Sequence, residues 1–318
     1  MSEALVVGSV ALDSVETPHG NVSEVLGGSA SYGCVSASYF APVKMVAVVG
    51  EDFPSEHVGA FEGRGIDTSG LKSESGQTFR WSGYYLREMG GAHTNTTALN
   101  VFENFRPTLD ESQRNAPFVF LANIQPGLQL SVLDQLTAPK AVLLDTMNFW
   151  IEGSKKELTK VIERVNILLL NEEEARQYME TPNLIEAGLA LQELGPQTVV
   201  IKKGEHGSLL FQRDRVMSVP AFPLRELKDP TGAGDTFAGG LVGYLARLNS
   251  FTDEDVRKAV VVGTAMASFV VEDFSLRRTL AIRPGEIHQR VDRVLEMMRA
   301  PVLDQETLAG RNLAATIS

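Results

Sequence analysis

The sequence predicts an α/β fold: a three-layer α/β/α core with a mostly parallel sheet, and a small separate β-sheet. Three observations support this prediction. After Pro117, short apolar runs alternate with helical segments, which is the pattern of a parallel sheet with helices on both faces. After Arg225 the chain is mostly helical in its periodicity. Residues 76–106 differ in composition from both regions, so we expect them to lie outside the core.

The N-terminal part contains two predicted buried strands, 4–12 and 43–49, because each is a mainly apolar run. Between them, residues 26–40 open with Leu-Gly-Gly and continue as a run of small residues, which predicts a turn followed by a helix. A second helix is expected to begin near Ser55. Strand and helix therefore alternate here as they do in the rest of the predicted core.

Residues 77–87 and 93–102 are rich in aromatic and β-branched residues and are separated by the turn Met89-Gly90-Gly91. Their mixed polarity predicts a β-hairpin rather than a buried parallel strand. We expect this hairpin, within 76–106, to form a small lid together with about 14–26. An exposed edge of such a lid could pair with a second subunit, so a homodimer and a monomer both stay open.

The C-terminal half is predicted to supply most of the large sheet and its helices. The predicted strands are 118–122, 141–145, 166–170 and 198–201. The predicted helices are 128–136, 155–164, 185–194, 233–248, 253–271 and 285–299. We therefore assign residues 1–300 to one core with its lid, and residues 301–318 to a peripheral tail.

Composition excludes several classes of protein. Of the 318 residues 43% are hydrophobic, which predicts a folded chain. The formal net charge of −11 disfavours nucleic-acid binding, although backbone N–H groups can still bind phosphate locally. The single cysteine, Cys34, rules out a disulfide within the chain, and the histidines show no metal-ligand spacing. The longest apolar run, 259–271, is too short to span a bilayer and the N-terminus does not resemble a signal peptide, so we expect a cytoplasmic protein without membrane contact.

A glycine-rich turn at 229–235, Asp-Pro-Thr-Gly-Ala-Gly-Asp, leads directly into a predicted helix. The first N–H groups of a helix have no intrahelical partner, and Gly232 and Gly234 leave them open to an anion. Asp235 would repel a bound phosphate unless a substrate hydroxyl lay between the two. These residues suit a turn that stabilises a phosphoryl group in transfer while Asp235 takes the proton of the attacking hydroxyl.

An ordinary helix cap explains the same residues. Aspartate in the first turn of a helix is a common stabiliser and glycine-rich helix entries are frequent, so the residues alone favour this simpler interpretation. The chain contains no Gly-Lys dipeptide and therefore no Walker A loop. Phe237 stands where a dinucleotide-binding motif requires its third glycine, which excludes that motif as well.

The stretch from Asp229 to Gly240, D-P-T-G-A-G-D-T-F-A-G-G, closely resembles the C-terminal signature of the PfkB carbohydrate kinases, a family with a ribokinase-like fold. The resemblance implies that Gly232, Ala233 and Gly234 form an anion hole and that Asp235 is the catalytic base. It also implies ATP and Mg²⁺ as cofactors and a lid that closes over the substrate.

Further segments resemble the family in the same order along the chain. On the acceptor side, the resemblance implies that Asp13, at the end of the first strand, binds sugar hydroxyls. It implies that Gly27 and Gly28 lie beside the substrate, and a D-x-N element implies a substrate contact for Asn148.

On the nucleotide side, an N-x-x-E element implies that Asn171 and Glu174 lie near the phosphates, with Glu174 binding Mg²⁺ through water. Asp229 stands where some members bind a monovalent cation, which leaves K⁺ open as a further cofactor. The remaining residues with implied nucleotide contacts are Lys202, Gly204, Gly207 and Thr231.

The sequence also departs from the family pattern. Tyr32 occupies the position at which many members carry an asparagine that binds sugar hydroxyls, which argues against a simple ribokinase or fructokinase. Asn148 follows Asp145 by one residue more than usual, and Lys202 replaces a frequent threonine. Its ammonium therefore either reaches a phosphate or points to solvent. Further cation ligands, expected near 270–276, are not recognisable in the sequence.

The resemblance implies ATP-dependent phosphorylation of a hydroxyl on a sugar or a sugar-containing small molecule. Two alternatives stay open. One is a nucleoside kinase of the same fold, favoured if the lid residues Trp81, Tyr84 and Tyr85 stack on a base. The other is a non-catalytic sensor that binds nucleotide or sugar without turnover, although such a sensor has no need of Asp235.

Overall fold

The computed structural model describes residues 2–87, 89–213 and 215–301, which form two β-sheets and their covering helices. The strands are β1 (Ala4–Val7), β2 (Ala11–Thr17), β3 (Gly20–Gly27), β4 (Val43–Gly50), β5 (Ile66–Glu74), β6 (Phe79–Tyr84), β7 (His93–Ala98), β8 (Phe118–Leu121), β9 (Ala141–Asp145), β10 (Ile167–Asn171), β11 (Thr198–Lys202), β12 (Ser208–Gln212) and β13 (Arg215–Val219). The helices are α1 (Ser29–Ala37), α2 (Ser55–Glu62), α3 (Glu111–Arg114), α4 (Pro126–Gln135), α5 (Asn148–Gly153), α6 (Lys155–Ile162), α7 (Glu172–Met179), α8 (Leu184–Glu193), α9 (Ala233–Leu248), α10 (Asp253–Val270), α11 (Arg277–Leu280) and α12 (Glu286–Met297). Short 3-10 turns lie at Asn100–Asn104 and Gly204–His206.

The larger sheet has nine strands in the order β13-β12-β11-β10-β9-β8-β1-β4-β5. The seven strands from β11 to β5 in this order run parallel to one another. β12 is antiparallel to β11, and β13 is antiparallel to β12. This sheet confirms the predicted α/β fold. The strand order reverses between β1 and β8, because the chain builds first toward β5 and then toward β13. In open α/β sheets, ligands bind outside the carboxyl ends of the strands at such a point.

The smaller sheet has four strands in the order β3-β2-β6-β7. β2 pairs antiparallel with β3 and parallel with β6, and β6 pairs antiparallel with β7, which is the predicted hairpin. The sheet comprises Ala11–Gly27 and Phe79–Ala98, compared with the expected 14–26 and 76–106. The assignment of this sheet as a lid, and of 1–300 as one core, stays a prediction.

The predicted single strand 4–12 is wrong. The chain leaves β1 at Val7, turns through residues 8–10 and enters the smaller sheet as β2. The turn is tight, since a Cβ on Gly8 would lie 2.7 Å from the Ser29 hydroxyl. Asp13 therefore lies within β2, paired with Val25 and Trp81, and not at the end of the first core strand.

Both faces of the larger sheet are buried, because alternate residues of each central strand enter different cores. Phe118 and Phe120 of β8 pack on the side of α1, α9 and α10, whereas Val119 and Leu121 pack on the side of α4, α6 and α8. These layers are the predicted three-layer core.

The position of α9 depends on close helix packing. A Cβ on Gly239 would lie 2.2 Å from the Gly33 carbonyl oxygen, and one on Gly243 would lie 2.6 Å from that of Ala37. α9 therefore packs backbone to backbone against α1, while it also contacts β1, β8 and β9. Its N-terminus, which carries the glycine-rich turn, lies at the carboxyl edge of the sheet beside Asp145.

The sequence prediction omitted β5 and the β12–β13 hairpin, whereas the three long helices after Arg225 are confirmed as α9, α10 and α12. Within the described ranges no helix combines the length and apolarity that crossing a membrane requires. Of the predicted peripheral tail 301–318, all residues after Pro301 lie outside the described part of the chain.

Candidate active site

The glycine-rich turn forms a helix N-terminus that no side chain caps. Gly232 adopts a left-handed conformation with φ 75°, and a Cβ there would lie 2.5 Å from the Tyr32 ring, so the turn rests directly on that ring. Helical hydrogen bonding begins at Thr236, whose N–H donates to the Gly232 carbonyl. The N–H groups of Gly234 and Asp235 precede this bond and lie at the positive end of α9.

Asp235 lies in the first turn of α9 and is only partly exposed. Burial raises the pKa of its carboxyl group to about 7; the Asp145 carboxylate raises it further and the Lys202 ammonium opposes the rise. A carboxyl group with a pKa near neutrality can accept a proton from a substrate hydroxyl and release it again.

Asp13 faces the same cleft from the smaller sheet. It is 4% exposed, accepts a hydrogen bond from the Gly28 N–H, and burial raises the pKa of its carboxyl group to about 7. A Cβ on Gly27 would overlap its carboxylate, and Gly28 has φ 92°. The missing side chains of the double glycine therefore leave room for the Asp13 carboxylate. Both Asp229 and Asp235 are close enough to repel that carboxylate.

Asp229 is 1% exposed. Its Oδ1 accepts a hydrogen bond from the Thr231 N–H at 2.9 Å, whereas Oδ2 has no partner among the described residues. The backbone N–H groups of Lys228 and Asp229 donate to the Val271 carbonyl, which brings the segment after α10 against this carboxylate. A buried carboxylate oxygen without a donor fits a cation or a retained proton, and burial raises the pKa of this group.

The smaller sheet reaches the turn through Tyr85. The Thr231 hydroxyl donates to the Tyr85 hydroxyl at 3.1 Å, and Tyr85 is 9% exposed. Thr231, for which the sequence implied a nucleotide contact, therefore joins the turn to the smaller sheet in this structure. Burial raises the pKa of Tyr32 well above its usual value, and the neighbouring Asp13 and Asp229 raise it further.

Trp81 lies next to Asp13 on the paired strand β6. Its indole crosses Gly83, where a Cβ would lie 2.4 Å from the ring, and its Nε1–H donates to the Thr94 hydroxyl at 3.1 Å. Side chains alternate along a strand, so Trp81 shares its sheet face with Gly83, and Tyr85, which contacts the turn, directly follows this strand. The indole therefore lies across the small sheet, next to the strand position of Asp13.

The nucleotide-side residues lie at the ends of β9, β10 and β11. Lys202 does not point to solvent, because its ammonium donates to both oxygens of Asp145 at 2.9 and 2.7 Å. Asn171 and Glu174 form a reciprocal cap at the start of α7: both Glu174 oxygens accept hydrogen bonds from Asn171, at 2.7 Å each. Burial raises the pKa of Glu174 to about 8, and Lys202 opposes that rise.

The turn 204–207 has the backbone that its glycines predict. Gly204 has φ 52° and Gly207 has φ 80°. A Cβ on Gly207 would lie 2.0 Å from the Val219 carbonyl oxygen, so the turn packs directly against the end of β13. It follows β11 and therefore lies on the same edge of the sheet as Lys202.

A family model described as pfkB family carbohydrate kinase matches residues 1–282. The chain belongs to this family. A cytidine kinase from Thermococcus kodakarensis is 30% identical over 77% of this chain and 89% of its own length. The solved structure of a nucleoside kinase from Methanocaldococcus jannaschii, an archaeal member of the ribokinase family, has a TM-score of 0.73 and 21% identity over 92% of this chain and 99% of its own. An Escherichia coli structure described as a ribokinase II with ATP and Mg²⁺ has a TM-score of 0.74 and 16% identity over 92% of this chain and 100% of its own.

These matches confirm the predicted family and the ribokinase-like fold. This pfkB kinase is a phosphotransferase with an alcohol group as acceptor, of the kind that acts on sugars or nucleosides.

Asn148, a predicted substrate contact of this pfkB kinase, begins α5, and its amide donates to Gln177 of α7 at 2.9 Å. Within the described residues it makes no hydrogen bond to Asp13, Gly28 or Asp235. Its contact with the substrate stays a prediction.

The sequence analysis missed Asp145, for which it assigned no role. Asp145 is 4% exposed and lies at the carboxyl end of the buried strand β9. That position was the available signal, since charged residues at the carboxyl ends of parallel strands face the ligand crevice.

The protein side chains at this site can supply only a small part of the ligands that Mg²⁺ requires. No group of three or more His, Cys, Asp or Glu side chains that could hold a metal occurs in the described part of the chain. Glu174 and Asp145 are both buried on the phosphate side of the site, and Asp145 is already paired with Lys202, which leaves Glu174. Since Mg²⁺ keeps several waters and takes oxygens from substrate phosphates, one carboxylate acting through water is sufficient.

Proposed function

We propose that this pfkB kinase transfers the γ-phosphoryl group of ATP to a hydroxyl of an uncharged sugar-containing molecule, with Asp235 as the base. The observation that carries this proposal is the placement of Asp235 between the uncapped N-terminus of α9 and the buried Asp13. Asp13 accepts a hydrogen bond from the acceptor, Asp235 removes the proton of the attacking hydroxyl, and the backbone of 232–234 stabilises the charge on the phosphoryl group.

On the nucleotide side, Lys202, Asn171 and the turn containing Gly204 and Gly207 bind ATP. Glu174 would hold Mg²⁺ through water, and the ion neutralises charge on the ATP oxygens when bound. The Oδ2 atom of Asp229 would bind a monovalent cation such as K⁺. The smaller sheet acts as a lid that excludes water, which would otherwise hydrolyse ATP.

The charges around the acceptor argue for an uncharged substrate. Asp13, Asp229 and Asp235 lie near the phenol of Tyr32. Asp13 and Asp229 are buried, and neither carboxyl group forms an ion pair within the described residues. A sugar phosphate or sugar acid would bring a further anion into this cluster, at a high electrostatic cost.

Among uncharged acceptors, Trp81 favours a nucleoside. Its strand position pairs with that of Asp13, its Nε1–H donates to Thr94, and its aromatic ring can stack on a planar base. The T. kodakarensis relative is named a cytidine kinase, which supports the same choice. The non-catalytic sensor stays the alternative from another class, because its ligands could occupy the same residues.

The deciding experiment is ATP consumption with purified protein against matched panels of free sugars, nucleosides, sugar phosphates and sugar acids, with and without K⁺. We expect turnover with an uncharged acceptor, best with a nucleoside, and identification of the product would give the phosphorylated hydroxyl. ATP binding by calorimetry without product from any panel would favour the sensor. Preferred turnover of sugar phosphates or sugar acids would contradict the uncharged pocket.

A further inference from the structure

Asp145 and Lys202 form a buried ion pair between two strands that are not neighbours. Asp145 ends β9 and Lys202 ends β11, and β10 lies between them. The Lys202 ammonium contacts both carboxylate oxygens, and the side chains are 5% and 17% exposed. The other ion pairs to lysine in the described residues have a more exposed carboxylate partner, so this pair is set apart by its burial.

The pair lies directly below the first turn of α9. A Cβ on Gly234 would lie 2.8 Å from the Lys202 Nζ and 3.6 Å from the Asp145 Oδ2. A helix N-terminus attracts anions and repels cations, so an ammonium group alone would be unfavourable there. Asp145 supplies the anion that this position requires.

Asp145 is itself held in place. Its Oδ1 accepts a hydrogen bond from the Thr146 N–H at 3.0 Å, and its backbone carbonyl accepts one from the Gln129 amide at 3.3 Å. Glu174 and Asp235 add further attraction for the Lys202 ammonium group.

Burial of such a pair is a weak source of stability. The desolvation of two charges offsets most of their attraction, and apolar replacements of similar size are often as stable. A charge pair below an anion-binding helix terminus is better explained by an anion that arrives there and competes for the ammonium group.

We propose that Asp145 is a positioning residue that holds the Lys202 ammonium below Gly234 and yields it to the transferring phosphoryl group of ATP. This inference rests on the proposed function for its reaction. Lys202 contacts the phosphoryl group, whereas Asp145 acts on that group through Lys202 and supplies the anion beside the ammonium until the phosphoryl group takes its place.

The test uses Asp145→Asn, Lys202→Met, the double variant and Lys202→Arg. Binding of ATP and of ADP is measured by calorimetry without acceptor, and kcat and KM are measured with the best acceptor. Asp134→Asn is the matched control, because it breaks an exposed pair with Arg164 of the same 2.7 Å length. Thermal unfolding of every variant shows whether it is folded.

Lys202→Met should weaken ATP binding roughly 10- to 100-fold and leave ADP binding nearly unchanged, because only ATP carries the phosphoryl group that the ammonium contacts. It should lower kcat about 10²- to 10³-fold, the typical loss for one donor to a transition-state oxyanion. Asp145→Asn should lower kcat without weakening ATP binding. The substitution removes the anion that competes with ATP for the Lys202 ammonium, but it also removes the group that positions this ammonium. Lys202→Arg should restore part of the ATP preference, and the control should match wild type.

The double variant decides whether Asp145 acts through Lys202. Measured at a pH above the range in which Asp235 titrates, its kcat should equal that of Lys202→Met alone, since Asp145 then has nothing to position. Losses that add, or an equal loss of ATP and ADP binding in Lys202→Met, would overturn the inference. If no acceptor were phosphorylated but Lys202→Met lost ATP binding selectively, the proposed reaction would fail while the placement of Lys202 survived.

Discussion

At the residue scale, two carboxyl groups with the same pKa have different surroundings. Burial raises the pKa of both Asp13 and Asp235 to about 7, but Asp13 accepts a hydrogen bond from the Gly28 N–H, whereas Asp235 lies near the Asp145–Lys202 ion pair, whose two charges shift its pKa in opposite directions. An orienting hydrogen bond suits a group that holds a substrate. Nearby charges of opposite sign suit a group that exchanges a proton.

These raised values predict the pH dependence of the reaction. Asp235 accepts a proton only in its charged form, so kcat/KM should fall as pH decreases below about 7, by roughly tenfold per pH unit, and level off above it. Asp13 titrates in the same range and makes the fall steeper. Initial rates at low acceptor concentration across pH values would measure it. An acid limb only near the usual carboxyl range, about pH 4, would contradict the burial of these groups.

Tyr85 gives a second prediction at this scale. Tyr85→Phe removes the acceptor of the Thr231 hydroxyl while keeping the ring, so the contact between the small sheet and the turn loosens. We expect the acceptor KM to rise about 2- to 10-fold, the effect of one neutral hydrogen bond, with a small rise in ATP hydrolysis without acceptor. Tyr84→Phe is the control, because Tyr84 stacks on His93 instead. Equal effects of both variants would show that the Thr231 contact is irrelevant.

At the element scale, the site depends on where α9 begins and how closely it packs. The uncapped turn at Gly232 opens toward the cleft, and Gly239 allows the helix to approach α1. The sequence predicted α9 with its observed bounds, because the glycine-rich turn and the helical spacing of the apolar residues both indicated a helix there. It did not predict the β12–β13 hairpin, because β13 is largely exposed and lacks a buried apolar run.

Gly239→Ala tests the helix packing. The new methyl group would overlap the Gly33 carbonyl oxygen of α1, so we expect a loss of about 1–3 kcal/mol in the free energy of unfolding. Gly59→Ala in α2 is the control, since nothing lies within 4 Å of its Cβ and alanine favours helix. Chemical denaturation of both variants measures the difference. A Gly239→Ala protein as stable as wild type would mean that α1 and α9 can separate without cost.

Gly234→Val tests the turn itself. Its side chain would meet the Lys202 ammonium group and fill the space in front of the α9 N-terminus, so phosphate approach should be blocked. We expect a loss of kcat of at least about 10²-fold with the fold retained, measured with circular dichroism as the check on structure. Activity close to wild type would mean that the turn only caps the helix.

At the scale of the whole molecule, the cleft joins residues from distant parts of the chain. Asp13 comes from the small sheet, Asp145 and Lys202 from the carboxyl ends of core strands, and Asp235 from a C-terminal helix. Local patterns predicted the strands that end at Asp145 and Lys202 and the helix that carries Asp235, but they placed Asp13 on a core strand. The family signature linked these segments. They did not reveal that Lys202 pairs with Asp145, because that contact depends on β9 and β11 flanking β10.

One prediction at this scale concerns a feature that the sequence left open. The outer strand β7 of the small sheet is exposed along its whole length, and a homodimer through this sheet stays a prediction that sedimentation would test.

The break between β1 and β2 shows why Asp13 was misplaced. β1 and the first two residues of β2 are apolar, and only the short segment 8–10 separates the core from the small sheet.

The central claim is that Asp235 removes the proton of the acceptor while the adjoining turn receives the phosphoryl group. Turnover of Asp235→Asn, with ATP affinity measured in the same preparation, tests it most directly. We predict a folded protein with ATP affinity near wild type and a kcat lower by roughly 10²- to 10⁴-fold. A variant that retained wild-type turnover would contradict the claim and leave Asp235 as a helix-capping residue.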